Sequence, residues 1–309
     1  MRNVKLLGIS GVKPDHCIEF NGHRRWRCLP NTNQLDLAVQ AALLTLEKAS
    51  LKITDIDCIV SASAVCMQPL PCNAALIHEK IARGTSIPCI DINTTCTSFI
   101  SALDIISYLI DAGRYKNVLI IASDVPSFGL NSNQKESYEL FSDGASAVII
   151  TKSDGASKMI YSKQATWSEG AHDTEIRGGG SFKPPHLFDP SELNDYLFDM
   201  NGRAILRLVH NKVFGFMNEF FEEGNFSKED IDMVVPHQAS LALDFMMRKL
   251  DIKKGQYIDI LKDVGNMVAA SVPYTLCYGV ENNLIKRGDK LLLLGTAAGL
   301  TINALYLVY

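Results

Sequence analysis

No run of apolar residues in this sequence approaches the roughly 18 that a membrane-spanning helix needs. The most apolar stretches, VLIIAS (118–123) and LLLLGTAAGL (291–300), are short and read as buried strands. The opening MRNVKLLGISGVKPDH is broken by glycines and lacks the continuous core of an export signal, so a cytoplasmic protein with no membrane partner is expected. An excess of one charge is also missing. There are 30 Lys and Arg against 34 Asp and Glu, a net charge of −4 and a pI of about 6.0, which gives no basic footprint for nucleic acid. No C-x-x-C pair occurs and no Cys/His cluster has zinc spacing, so no metal site is expected. The eight cysteines, at 17, 28, 58, 66, 72, 89, 96 and 277, are expected to be reduced thiols, most of them small core residues.

What is present is a large core. The chain has 309 residues, 47% hydrophobic and 21% charged, enough to bury its apolar surface without disulfides or metals. Strand and helix patterns alternate: strands at 3–10, 55–63 and 117–124, and helices at 35–49 and 96–113. Asn33 is the expected N-cap of the first helix and Gly113 the stop of the second. Alternation of this kind argues for an α/β fold with helices covering the sheets. The sequence also echoes itself. ITDIDCIV (53–60) resembles KEDIDMVV (228–235), and the offset of 175 residues that takes Asp55 to Asp230 also takes Gly113 to Gly288 and Cys96 to Ser271. A register held over about sixty residues implies two similar halves, divided as 1–160 and 161–309. Between them, 163–195 carries GGG, PP and Pro190 and reads as a loop or flap.

Four short segments could carry chemistry. In DINTTCTSFISAL, Cys96 stands at a strand-to-helix junction among small neighbours, where the helix dipole and free N–H groups favour a thiolate; an arbitrary cysteine is more often structural. In VVPHQAS, a buried strand delivers His237 at its carboxyl end, where α/β folds build sites; a satisfied structural histidine is the plain alternative. In DVGNMVAAS, Asn266 offers an amide that donates to a developing enolate in any protonation state, although Gly-Asn alone is a turn dipeptide. GTAAGLT (295–301) follows a buried strand, and its small residues leave backbone N–H groups free to approach a carbonyl, or simply allow close packing.

Taken in order, TTC at a helix start, VVPHQA, GNMVAAS and a terminal Gly-rich turn resemble the thiolase superfamily, in its β-ketoacyl-acyl-carrier-protein synthase III branch. FSDGASAVI (141–149) and LPCNAALIHEKI (70–81) resemble further segments of that family over nearly the whole chain. The resemblance implies a five-layered αβαβα sandwich of two duplicated halves, acting as a homodimer. It implies a ping-pong decarboxylative condensation with no metal or redox cofactor. Cys96 would accept an acyl group from a coenzyme A or acyl-carrier-protein thioester, with the N–H groups of Cys96 and Ala298 as oxyanion hole. His237 and Asn266 would stabilise the enolate of a malonyl thioester. Substrate-binding positions carried over are Leu70 at the acyl pocket, Arg207 at the pantetheine entrance, and Arg24 with Trp26 at the nucleotide end. Arg24, Arg25, Arg27 and Arg207 are the expected patch for an acidic carrier protein.

Other readings stay in view. A specialised ketosynthase or acyl transferase taking longer or carrier-bound chains would carry the same residues. A degradative thiolase generally has a second cysteine in the terminal turn, absent from GTAAGL. A cysteine hydrolase would use the same Cys, His and Asn with water as acceptor. A non-catalytic acyl-binding subunit would typically have lost the cysteine.

Overall fold

The computed structural model describes all 309 residues. In chain order it contains β1 (Val4–Val12), β2 (Cys17–Phe20), β3 (His23–Trp26), α1 (Gln34–Lys48), β4 (Cys58–Ser61), α2 (Asn73–Ile81), β5 (Cys89–Asp91), α3 (Ser98–Asp111), β6 (Asn117–Asp124), α4 (Lys135–Tyr138) and β7 (Gly144–Lys152). The second part continues with β8 (Lys158–Thr166), β9 (Thr174–Glu175), β10 (Asp199–Met200), α5 (Gly202–Gly224), β11 (Met233–Pro236), α6 (Leu243–Lys249), α7 (Leu261–Val264), α8 (Ser271–Glu281), β12 (Lys290–Ala297) and β13 (Thr301–Val308).

The helix ends follow local chemistry. Asn33 caps α1 by accepting from the N–H groups of Leu35 and Asp36, while the Asp36 carboxylate reaches back to the Asn33 N–H at 3.0 Å. Past the end of α3, Gly113 takes a φ of +77°, which a side chain would oppose. The expected strand at 55–63 is shorter, Cys58–Ser61, because a one-turn helix at Ile53–Asp55 leads into it.

Two sheets repeat one arrangement. The first runs β1-β7-β6-β4-β5 and the second β8-β13-β12-β11; in each, two antiparallel pairings are followed by parallel ones, two in the first sheet and one in the second. The offset of 175 residues recurs here: Ile53–Asp55 with Cys58–Ser61 matches the one-turn helix Lys228–Asp230 with Met233–Pro236. At the next helix the offset closes to 173, since Ser98 and Ser271 are the first helical residues. The sequence had paired Cys96 with Ser271. The second sheet takes in Lys158, so the chain passes between sheets at 153–157, slightly before the expected boundary at 160.

Five layers result. α1 and α2 cover the outer face of the first sheet, and α5 and α6 that of the second; α3 and α8 lie between the sheets. Strand period sorts the side chains: Val118, Ile120 and Ala122 of β6 face the central layer, while Leu119 and Ile121 face α1. All eight residues of β6 are buried, the mark of a sheet covered on both faces. The flap of 163–195 starts in β8 and then folds into short turns tied by ion pairs, with Arg177 bridging Glu175, Asp195 and Asp199.

Leu293 of β12 packs in the central layer at 0% exposure. Leu293→Ala is expected to cost about 2–5 kcal/mol through lost transfer and a residual cavity. A fall in urea midpoint at unchanged slope checks this; no fall would place the stabilising core elsewhere.

Candidate active site

The turn that carries Cys96 follows β5. Thr95 adopts a φ of +52°, uncommon for a β-branched residue, and neighbouring polar groups hold it there. Asn93 Oδ1 accepts from the Thr95 N–H at 2.8 Å, Ser98 Oγ accepts from the Thr94 N–H at 3.0 Å, and Ser98 Oγ donates to the Thr95 carbonyl at 2.6 Å. Asn93 and Ser98, the latter read from sequence as merely small, thus build the turn that presents Cys96 just ahead of α3.

Cys96 departs from its expected chemistry. Burial pushes the thiol up to about 12, and the carboxylate of Asp124 adds to the rise. The N–H groups of Ala298 and of Cys96 itself act in the opposite direction. Burial thus outweighs the thiolate preference expected of the helix start.

His237 follows β11, its N–H donating to the Leu294 carbonyl at 2.8 Å. Its ring lies between two oxygens: Nδ1 is 2.9 Å from the Thr296 carbonyl and Nε2 is 3.1 Å from Asn266 Oδ1. Burial holds the imidazole down to about 4 against the pull of both contacts. The neutral ring has one proton for two acceptors, and only the tautomer protonated at Nε2 can donate into the site.

Asn266 is fixed from all sides. Its N–H donates to the Leu140 carbonyl at 3.0 Å and its carbonyl accepts from the Ser142 N–H at 2.9 Å. Its Oδ1 accepts from the Val268 N–H at 2.8 Å and from Ser271 Oγ at 3.3 Å, which leaves Nδ2 as the unengaged donor. Gly265, at φ +82°, has no space for a Cβ, which would meet Ser142 Oγ at 2.4 Å and Arg25 Cδ at 2.8 Å. Gly295 is less tightly confined, its Cβ position 3.0 Å from Thr97 Cγ2 in the turn after Cys96.

Three residues not singled out for these roles organise the site. Asp124, wholly buried at the end of β6, accepts from the N–H groups of Ala64 and Val65 at 3.0 Å and of Ala269 at 3.1 Å. Its burial raises it to about 7. An acid closing an eight-residue buried strand was the available signal. Thr296 contributes only a carbonyl, invisible to sequence. Arg25, 1% exposed, spends its guanidinium on the carbonyls of Glu139, Arg24, Leu261 and Lys262, bracing the turn before Asn266.

That burial corrects the expected basic patch. Arg25 and Arg27 are inside the protein, Arg27 donating to the Tyr138 carbonyl. Arg24 is exposed but paired with Asp263 at 2.8 Å. Trp26 donates Nε1–H to the Asp263 carbonyl, and the Lys13 ammonium lies over its ring at 2.8 Å from the centroid. Leu70 projects from its loop, 83% exposed, and Arg207 is exposed on α5. None of Arg24, Trp26, Leu70 and Arg207 lines the main cavity, which has a volume of about 720 Å³ and opens beside His237. No group of three or more His, Cys, Asp or Glu side chains is arranged to hold a metal ion, and no helix is long and apolar enough to cross a membrane.

A family described as 3-oxoacyl-[acyl-carrier-protein (ACP)] synthase III matches residues 90–167, and its C-terminal counterpart matches residues 221–309. The chain is 31% identical to a beta-ketoacyl-[acyl-carrier-protein] synthase III of Clostridium perfringens, over 98% of both chains. It is 30% identical to one of Clostridium novyi, again over 98% of both. Among solved structures, a 3-oxoacyl-[acyl-carrier-protein] synthase III from Aquifex aeolicus superposes with a TM-score of 0.88 at 24% identity, covering 99% of this chain and 100% of that one. The Thermus thermophilus counterpart gives 0.87 at 22% identity and 98% of each chain. These two show the shared fold.

Asp124→Asn removes the negative charge that opposes ionisation of Cys96, so the thiol is expected to fall below about 12. At fixed alkaline pH, iodoacetamide should then alkylate Cys96 faster than in the parent protein. A pH–rate profile with no shift toward lower pH would refute this electrostatic link.

Proposed function

The chain belongs to the 3-oxoacyl-[acyl-carrier-protein] synthase III family, and from that premise we propose that Cys96 carries the acyl group while His237 and Asn266 act on the second substrate. The protein is an acyltransferase that condenses an acyl group with a malonyl thioester to a β-ketoacyl thioester, the reaction type that initiates fatty acids. The observation that carries the assignment of roles is the 3.1 Å hydrogen bond between two buried side chains, His237 Nε2 and Asn266 Oδ1, which leaves Asn266 Nδ2 free to donate.

In the first half-reaction Cys96 sulfur attacks the acyl thioester carbonyl, and the N–H groups of Cys96 and Ala298 receive the oxyanion. The thiol proton leaves with the departing carrier thiolate. Burial and the Asp124 carboxylate favour the protonated thiol, so we place its ionisation together with the attack.

In the second half-reaction the malonyl thioester oxygen lies against Asn266 Nδ2 and takes over the His237 Nε2–H from Asn266 Oδ1. Loss of CO₂ leaves its electron pair on the α-carbon as an enolate, which these two donors stabilise. The α-carbon then attacks acyl-Cys96, a C–C bond forms, the C–S bond breaks, and Cys96 is regenerated. Acceptors at both ring nitrogens favour added positive charge on the imidazole, so its donation strengthens as negative charge develops beside it.

The donor we assign is an acyl thioester on coenzyme A or a carrier protein. Exposed Arg203 and Arg207 on α5, with Arg248 and Lys249 on α6, lie on the two helices that wall the cavity, and this is where we place docking of an acidic carrier. A homodimer would cover exposed apolar side chains such as Leu70, Phe182 and Leu187.

Incubation with acyl thioester donors should add one acyl mass to the intact protein, and Cys96→Ala should abolish it. Absence of any labelling would remove the covalent mechanism. Asn266→Ala should retain acylation while condensation falls about 10²–10³-fold, the usual loss for one oxyanion donor. Equal loss in both half-reactions would contradict the division of roles.

A further inference from the structure

An amide sits where the fold calls for an apolar side chain. Asn303 of β13 is 2% exposed and shares the central-layer face of its strand with Leu305 and Leu307. The alternate residues Ile302 and Ala304 pack on the other face, against α5 and α6. A buried amide costs free energy unless it is hydrogen-bonded. Asn303 Nδ2 donates to Ser101 Oγ of α3 at 2.9 Å and to Oε1 of Gln164, its cross-strand partner on β8, at 3.0 Å. Ser101, 4% exposed, donates to the same Gln164 oxygen at 2.8 Å. That engages its single hydroxyl hydrogen, so in the 2.7 Å contact between Ser101 Oγ and Thr94 Oγ1 it is Thr94 that donates. Thr97 Oγ1 in turn reaches Thr94 Oγ1 at 3.2 Å and the Thr94 carbonyl at 3.0 Å.

These bonds join the two halves of the protein beside Cys96. Thr94 stands two residues before Cys96, and Thr95 between them holds a φ of +52°. Asn303 and Gln164 belong to the second sheet. Asn303 lies opposite Gly295 of β12, and the turn from β12 to β13 holds Ala298, whose N–H acts on the Cys96 thiol. One end of the bonded chain is therefore in the Cys96 turn, and the other is on the strand that follows Ala298. A left-handed φ at a β-branched residue persists only where its surroundings over-determine it. Asn93 and Ser98 hold the turn from its own half; Asn303, through Ser101, holds it from the other.

We propose that Asn303, acting through Ser101 and Thr94, is a positioning residue for acylation of Cys96. It fixes the Cys96 turn against the turn between β12 and β13, so that the two N–H groups assigned above to the oxyanion stay aligned. The inference rests on the acyl-transfer reading and adds to it a residue outside the catalytic group. An oxyanion hole with one donor from each half works only at a set separation of the halves, and a displacement of about 1 Å lowers a rate by about a hundredfold. A leucine of similar size at 303 would suit the apolar layer, so packing alone gives no reason for an amide there.

The test follows single-turnover acylation of Cys96 by intact mass, over a range of concentrations of acetyl and octanoyl thioesters of coenzyme A and of an acyl carrier protein. Asn303→Leu and Thr94→Val should each lower the maximal rate about tenfold or more, with the half-saturating donor concentration unchanged. Thr94→Ser keeps the hydroxyl and should recover most of the rate that Thr94→Val loses. Both Asn303→Leu and Thr94→Val cut one chain of bonds, so the double variant should be no slower than the slower single one. Losses that multiply, a loss carried by the half-saturating concentration, or a Thr94→Ser protein as slow as Thr94→Val overturns the proposal. Ser101→Ala makes the same test if Asn303→Leu does not fold. Acylation of the parent that the folded variants leave unchanged sinks this inference alone; a parent that none of these donors acylates sinks the acyl-transfer reading with it.

Discussion

One buried carboxylate holds the two halves of this protein to a common site. Asp124 closes the central strand of the first sheet and receives N–H groups from Ala64 and Val65 of the first half and Ala269 of the second. A buried charge is tolerated only where hydrogen bonds replace water, and three donors do so here. The bonds fix the loop after β4 and the segment just beyond Asn266 relative to the turn that carries Cys96. The same carboxylate opposes ionisation of the thiol, so one group is both structural tie and electrostatic control.

Burial tunes the remaining groups in opposite directions. It raises the Cys96 thiol to about 12 and lowers the His237 imidazole to about 4, because a low-dielectric site disfavours charge of either sign. Both groups are therefore held toward their neutral forms. Under the proposed roles, the free Asn266 Nδ2 is a donor already in place when negative charge develops. Arg25 supports the arrangement from behind, its guanidinium held by four main-chain carbonyls, which fix the chain leading into Gly265 and Asn266.

Much of the architecture was legible because periodicity and spacing are local properties. The capped helix after Asn33, the glycine stop at Gly113, the buried strand of 117–124 and the repeat at 175 residues all follow from short-range pattern. Cys96, His237 and Asn266 could be named because each stands where a strand ends or a helix begins, and because the segments occur in a familiar order. The arginines of HRRWRC show the opposite case. Alternation along β3 turns Arg25 inward and Arg24 outward, and composition alone cannot say which face of a two-stranded ribbon meets the core.

The sequence by itself determined the α/β class, the internal repeat and the candidates Cys96, His237 and Asn266, since these depend on residue type and on pattern along the chain. Only the tertiary structure decided their electrostatics. The state of a thiol or an imidazole depends on how much water is removed and which charges face it, and those come from residues far away in the chain: Asp124 and Ala298 for Cys96, Thr296 for His237. The cavity was likewise undetermined until α5 and α6 were laid on the second sheet, because a void belongs to the space between elements and to no single segment.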